Sequence, residues 1–215
     1  MRRTRIMREA AGERLNGGVF VQVVRCAISD ESAIHAALDR WDSELRASAK
    51  GFLGSTAGVT TKGELVLVAR FESEDLARRN SDRPEQSTWW AELEQALAGP
   101  AVFAESSEVD LSMGGGSDDA GFVQVFWGRG NRDAARLALL QAEPILRRER
   151  PDILGGFTLW FEDDRFIDVA YFRSEREARE GEARELSDEG RAVFEEFGRV
   201  LAAEDYADIP EPRLR

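Results

Sequence analysis

The stretch "ARFESEDLARR" at residues 69–79 returns in closely similar form as "AYFRSEREARE" at residues 170–180, and this repetition decides the fold. Matched residues such as Phe71 and Phe172 lie 172 − 71 = 101 positions apart. A chance match would not extend beyond such a short segment. The two copies are therefore expected to form the same structural element twice.

The similarity does extend toward the start of the chain, in the same order and with nearly the same offset. "FLGS" at 52–55 corresponds to "ILGG" at 153–156, and "FVQV" occurs both at 20–23 and at 122–125. A period of about a hundred residues is too long for a solenoid repeat. The sequence therefore predicts a tandem duplication of a small domain.

This duplication sets the expected domain boundaries. The first repeat is assigned to residues 18–113 and the second to residues 121–215, with a glycine-rich linker at 114–120. Residues 1–17 are basic and polar and lack the apolar region of a secretory signal, so they are interpreted as a disordered leader. Met7 is a second candidate for the translation start.

Composition and charge exclude several classes of function. The 215 residues include 41 acidic and 29 basic ones, a net charge of −12, which argues against nucleic acid or an anionic membrane as a partner. No apolar run is long enough to span a membrane. Cys26 is the only cysteine, so an internal disulfide is excluded and a reducing, cytoplasmic location is favoured. No metal-ligand spacing, Ser-His-Asp set or nucleotide-binding motif is present, so neither a metal nor a cofactor is predicted.

Each repeat shows the element order β-α-β-β-α-β. In the first copy, an alternating strand at 19–27 precedes a helix whose apolar residues have helical spacing. Two strands joined by a short glycine turn, a second helix and a last strand follow. This order is that of a ferredoxin-like unit, so the predicted fold class is α+β. In the second copy the last strand is doubtful, because Pro210 and Pro212 confine it to a sheet edge or a loose tail.

Three segments of the first repeat carry a family resemblance: "GFLGS" at 51–55, "FESEDLARR" at 71–79 and "NSDRPEQSTWW" at 80–90. They resemble the dimeric α+β barrel superfamily, which includes the antibiotic biosynthesis monooxygenases. The resemblance covers roughly residues 18–208. It implies that two ferredoxin-like units pair sheet to sheet, here within one chain as an intramolecular dimeric α+β barrel. Such a pseudo-dimer could pair again as a homodimer.

The same resemblance implies a function, the cofactor-independent oxidation of a small aromatic substrate. Family members of this kind bind an easily oxidised phenol, promote its deprotonation and let it react with oxygen directly. Haem-degrading relatives use a histidine on the second helix. The only histidine here, His35, lies on the first helix, so a haem site of that type is not expected.

Candidate ligand-binding residues come from the second helix and from polar positions in apolar strands. Asn80, Trp89 and Trp90 occupy the region where the resemblance places the family's site. Because Trp89 and Trp90 are adjacent, at least one of them is expected in the core and the other at a margin or over a pocket. The strand candidates are Gln22, Gln124 and Asp168. No residue is assigned a catalytic role.

Each of the three strand candidates carries a specific expectation. Gln22 and Gln124 occupy the same place in the repeated "FVQV", where a buried amide needs hydrogen-bond partners. Asp168 replaces Leu67 of the first copy, and a carboxylate there would either pair with an arginine or have a raised pKa. Ordinary, internally satisfied positions or an exposed face at the sheet edge are the alternative for these residues.

Two other functions remain open besides the monooxygenase. One is a non-enzymatic scaffold, either a small-molecule-binding or a stress-associated protein. The other is an interaction module that uses the acidic faces of its helices. An enzyme or binder should contain an apolar cavity with polar groups aimed inward, whereas an interaction module should expose an apolar patch.

Overall fold

The computed structural model describes residues 19–215, so the predicted leader lies outside the described residues. These residues form two compact units. The N-terminal unit comprises residues 19–107 together with 208–215, and the C-terminal unit comprises residues 108–207. The repeat boundaries assigned from the sequence stay a prediction.

The N-terminal unit contains five strands and three helices, and its first helix continues into a π-helical turn at Trp41–Leu45 and a 3-10 turn at Arg46–Ser48. Its elements are β1 (Phe20–Ala27), α1 (Glu31–Arg40), β2 (Phe52–Val59), β3 (Glu64–Phe71), α2 (Glu74–Ser81), α3 (Pro84–Glu94), β4 (Val102–Ser106) and, from the end of the chain, β10 (Arg213–Leu214).

The C-terminal unit repeats this pattern. Its elements are β5 (Val109–Ser112), β6 (Phe122–Gly130), α4 (Arg132–Glu149), β7 (Ile153–Trp160), β8 (Arg165–Phe172), α5 (Glu175–Glu182), α6 (Asp188–Val200) and β9 (Leu201–Ile209). The last two residues of β9 belong to the N-terminal unit.

The two five-stranded sheets have matching strand orders, β10-β2-β3-β1-β4 and β5-β7-β8-β6-β9. The registers match as well, since Phe20 lies opposite Phe71 just as Phe122 lies opposite Phe172. Even the irregularity at the start of the second strand recurs, within Phe52–Gly54 and within residues 153–155. The predicted α+β fold and the tandem duplication of a ferredoxin-like unit are confirmed.

The repeated stretch that opens the sequence forms the corner between a strand and a helix in both units. Ser73 and Ser174 have extended backbones and cap α2 and α5. Each hydroxyl accepts a hydrogen bond from the backbone N–H three residues ahead, at 3.3 Å from Leu76 and 3.2 Å from Glu177. The stretch recurs because each unit needs this helix start.

The proline-containing end of the chain forms an edge strand. In β10, Arg213 lies opposite Ala57 and Leu214 opposite Thr56 of β2. The backbone of Arg215 extends the pairing, accepting from Ser55 N–H at 2.7 Å and donating to Ser55 C=O at 3.0 Å. Pro210 and Pro212 lie in the short connection between β9 and β10, outside both strands, so β9 forms the last strand of the second copy without containing a proline.

Candidate functional site

A cavity of about 430 Å³ lies in the N-terminal unit, between one face of its sheet and its helices. Alternate strand residues share a sheet face, so Gln22 and Val24 of β1 reach the cavity together with Leu67 and Ala69 of β3. The remaining lining residues are Phe52, Ser55, Ala57 and Phe71 of the sheet, Phe103 of β4, Leu38, Trp41, Asp42, Asn80, Ser81, Gln86, Ser87, Trp89, Trp90, Ala91 and Glu94 of the helical segments, and Arg213 and Arg215.

Four of the six predicted ligand-binding residues line this single cavity. They are Gln22, Asn80, Trp89 and Trp90, which come from one strand and two helices. The other two, Gln124 and Asp168, belong to the C-terminal unit. Whether any of the six binds a ligand stays a prediction.

The cavity has aromatic walls. The ring of Trp90 is tilted against Phe103, with centroids 5.4 Å apart, and Trp41 meets Phe52 edge to face at 4.9 Å. Trp89 is 4% exposed and its Nε1 donates to the carbonyl oxygen of Ala37 at 2.7 Å, so it belongs mainly to the core. Trp90 is half-buried, as expected for the second of two adjacent tryptophans.

Asn80 is a cavity residue whose amide oxygen lacks a hydrogen-bond partner inside the protein. Its side chain lies on the buried face of α2 and the residue is 7% exposed. Within residues 19–215, its Oδ1 is buried and has no hydrogen-bond partner. Leaving a buried amide oxygen unsatisfied costs roughly 1–3 kcal/mol, so a bound molecule that donates to it would gain a hydrogen bond.

Gln22, by contrast, is satisfied inside the protein. Its Nε2 donates to Oε1 of Glu105 at 2.8 Å, and the same carboxylate accepts from Nη1 of Arg78 at 3.0 Å. The apolar part of Gln22 can still contact a ligand, but one of its two amide N–H groups is already used.

Sequence reasoning missed Trp41, Asp42, Gln86 and Arg215. Trp41 Nε1 donates to Oε1 of Gln86 at 2.9 Å, and Arg215 Nε donates to Oδ2 of Asp42. The helical spacing of Ile34, Leu38, Trp41 and Leu45 in the sequence predicts an apolar stripe, which does place Trp41 next to the cavity. Asp42 reaches the wall from a π-helical turn, and Arg215 reaches it through β10, and neither feature has a signal in the sequence.

The two candidates in the C-terminal unit share one face of its sheet, because Gln124 lies opposite Ala170 and Asp168 lies opposite Phe126. Gln124 Nε2 donates to Oε1 of Glu182 at 3.2 Å. Asp168 accepts from the Thr158 hydroxyl at 2.6 Å. Burial raises the pKa of Asp168 to about 6 against the opposing effect of the Thr158 hydrogen bond.

Two properties of residues 19–215 bear on the kind of site. No group of three or more His, Cys, Asp or Glu side chains in this range is arranged to hold a metal ion. Among the helices of the same range, none is long and apolar enough to cross a membrane.

Comparison with known proteins gives similarity in structure alone. No protein-family model and no curated protein sequence matches the chain. A candidate monooxygenase from Fusobacterium nucleatum superposes with a TM-score of 0.72 at 9% identity, over 94% of this chain and 95% of that one. A candidate monooxygenase from Lactobacillus acidophilus gives 0.66 at 9% identity, over 92% and 99% of the two chains. An anthrone oxidase-like protein gives 0.64 at 10% identity, over 92% and 93%. The chain thus has the same fold as these three proteins along almost its whole length.

Proposed function

We propose that the N-terminal unit binds a flat, hydroxylated aromatic molecule in its cavity and that the protein oxidises this molecule with O2, without a bound cofactor. The observation that carries the proposal is the buried, unpartnered Oδ1 of Asn80 in a cavity with aromatic walls. The shared fold with candidate monooxygenases and an anthrone oxidase-like protein supports the type of reaction by analogy.

The walls suit a planar ring system. Trp90 and Phe103 on one part of the wall and Trp41 and Phe52 on another offer flat apolar surfaces for stacking. Asn80 then accepts a hydrogen bond from a ring hydroxyl, which fixes the orientation of the ring. An apolar cavity with a few polar groups is the usual design of a small-molecule site.

The proposed reaction balances without a further reactant. A ring methylene next to the hydroxylated rings and one O2 molecule become a ring carbonyl and one water molecule. The substrate supplies the electrons and O2 accepts them, one oxygen atom entering the product and the other leaving as water. In this scheme the protein binds and orients the substrate and shields it from bulk water.

Oxygen uptake with a hydroxylated anthrone as probe tests the proposal. The wild-type protein should consume O2 faster than a protein-free solution and yield the corresponding quinone. Asn80→Ala should lower kcat/KM about tenfold, because one hydrogen bond to the substrate is lost. Ser81→Ala is the matched control, since Ser81 also lines the cavity but its hydroxyl already donates to Ala77 C=O at 3.2 Å. Uptake no faster than without protein would overturn the enzymatic part of the proposal.

A non-enzymatic binding protein is the alternative, and one observation favours it. Three of the four ionisable residues of the cavity wall, Asp42, Arg213 and Arg215, are already engaged in ion pairs. A binder needs no free acid or base in its cavity. The alternative predicts tight probe binding with the uptake rate of the protein-free solution.

A further inference from the structure

We infer that Asp42 determines the specificity of the cavity, selecting ligands that present a hydrogen-bond donor and rejecting anionic ones. This inference rests on the proposed function, since it concerns the chemistry of the ligand in the same cavity. The ligand class is a neutral aromatic with a hydroxyl or amino group directed at Asp42.

The first argument is the state of the Asp42 carboxylate. One of its oxygens, Oδ2, accepts from Arg215 Nε. The other, Oδ1, is buried and has no hydrogen-bond partner among the described residues, although Arg46 Nε lies 3.8 Å from it. A carboxylate oxygen can only accept when ionised, so the missing partner must be a donor.

The second argument is that the protein itself uses several of the donors around the cavity. The indole N–H groups of Trp41 and Trp89 and the amide N–H of Gln22 donate to protein oxygens. The hydroxyls of Ser81 and Ser87 donate to backbone carbonyls of their own helices. These groups are not available to an acceptor on a ligand, whereas a donor on a ligand would find Asp42.

The third argument is the neutralisation of the two arginines in the wall. Arg215 is paired with Asp42, and Arg213 donates to both oxygens of Asp39. An anionic ligand would have to compete with these carboxylates for the guanidinium groups and would be repelled by them. The cavity therefore disfavours carboxylates although two arginines line it.

Asp39 provides a matched comparison with Asp42. Both side chains belong to the first helical segment and both pair with an arginine of the last strand. The side chain of Asp39 is 63% exposed and does not line the cavity, while that of Asp42 is 18% exposed and does. Substitution at either position removes one ion pair to the last strand, but only the change at Asp42 removes an acceptor from the cavity.

The test is calorimetric titration of the full-length protein with naphthol, methoxynaphthalene and naphthoate, each substituted at the same ring carbon. The wild type should bind naphthol about tenfold more tightly than methoxynaphthalene, because a hydrogen bond to a charged acceptor is among the stronger ones. Naphthoate should bind more weakly than naphthol.

Asp42→Asn should reduce the preference for naphthol and strengthen naphthoate binding, since Arg215 would then face the cavity without its counter-charge. A gain of naphthoate affinity cannot come from damage to the fold. Asp39→Asn should leave the preference for naphthol over methoxynaphthalene unchanged, because Asp39 does not line the cavity.

Equal affinities of the wild type for naphthol and methoxynaphthalene would overturn the inference and leave the proposed aromatic cavity intact. An Asp42→Asn variant that keeps the full preference for naphthol over methoxynaphthalene would also overturn it. If none of the three ligands bound to the wild type, the proposed function would fail and this inference with it.

Discussion

The two units use one scaffold but place different chemistry on the same positions. In the N-terminal unit, Asn80 of α2 brings an unpartnered amide oxygen to the cavity. At the position 101 residues later stands Gly181, where an added Cβ would come within 2.4 Å of a carboxylate oxygen of Asp152. That carboxylate is itself paired with Arg150 at 2.7 Å. One copy of the duplicated scaffold therefore holds an internal ion pair where the other holds an amide that lines the cavity.

A second difference lies on the sheets. Leu67 and Ala57 line the cavity of the N-terminal unit, and the matching positions of the C-terminal unit hold Asp168 and Thr158. Thr158 donates to the Asp168 carboxylate across the strand pair. Two polar residues that bond to each other thus stand where the N-terminal unit has apolar cavity wall. The two copies therefore differ in the chemistry of the same face of the sheet.

Breaking the buried ion pair of the C-terminal unit should have the largest effect. Arg150 and Asp152 are 7% and 4% exposed, so Asp152→Ala leaves a charged guanidinium buried without its partner. The free energy of unfolding should fall by about 3–5 kcal/mol. Urea denaturation followed by circular dichroism measures this change.

Glu180→Ala is the control for that experiment, because Glu180 forms an exposed ion pair with Arg176. Its effect should be small, since exposed pairs contribute little to stability. A loss for Asp152→Ala as small as that of the control would show that the Arg150–Asp152 pair does not stabilise the C-terminal unit.

Asp168 should make the stability of the C-terminal unit depend on pH. Leu67, at the matching position of the N-terminal unit, does not titrate and produces no such dependence. Burial raises the pKa of Asp168 from 3.8 to about 6, so between these values the folded protein binds more protons than the unfolded chain. The free energy of unfolding should then decrease as the pH rises through this window. At neutral pH the ionised group costs about 3 kcal/mol, since each pKa unit corresponds to about 1.4 kcal/mol.

Asp168→Asn removes this titration and keeps an oxygen that can accept from Thr158. The variant should be more stable than the wild type at neutral pH and equally stable near pH 4, as measured by urea denaturation at both pH values. Asp188→Asn, at a highly exposed carboxylate, serves as control. If Asp168→Asn were no more stable than the wild type at neutral pH, the raised pKa would be wrong.

The smallest expected effect on stability is the loss of a helix cap, and it should be the same in both units. Ser73→Ala and Ser174→Ala each remove a helix cap with equivalent geometry, and each should lower the free energy of unfolding by about 1 kcal/mol. Thermal or urea denaturation of the two single variants checks this. A clear difference between them would show that the repeated stretch no longer plays an equivalent part in the two copies.

The fold was predictable because its signals are local and occur twice. The capped helix starts at Ser73 and Ser174 and the repeated "FVQV" strands fix the element order and the duplication. The cavity was only partly predictable. Trp90 follows from its adjacency to Trp89, and Asn80 follows from the family resemblance.

The rest of the site depends on contacts between distant parts of the chain. Arg215 reaches Asp42 across a sequence separation of 173 residues, through a strand that two prolines make hard to recognise. The orientation of Asp42 depends on a π-helical turn, which has no sequence signature. Neither contact follows from the periodicity of a single element.

The most direct test of the central claim, that the N-terminal cavity is the binding site, uses two equivalent aromatic residues. Phe103 contacts Trp90 with centroids 5.4 Å apart, and Tyr206 contacts Phe126 at 6.2 Å in the other unit. Both side chains are about half exposed, at 57% and 50%, so either can be replaced with little effect on the core.

The measurement is calorimetric titration of Phe103→Ala and Tyr206→Ala with a hydroxylated anthrone. We predict that Phe103→Ala weakens binding about tenfold, through the loss of an aromatic contact, while Tyr206→Ala binds like the wild type. Loss of affinity in Tyr206→Ala with none in Phe103→Ala would contradict the assignment of the site to the N-terminal unit.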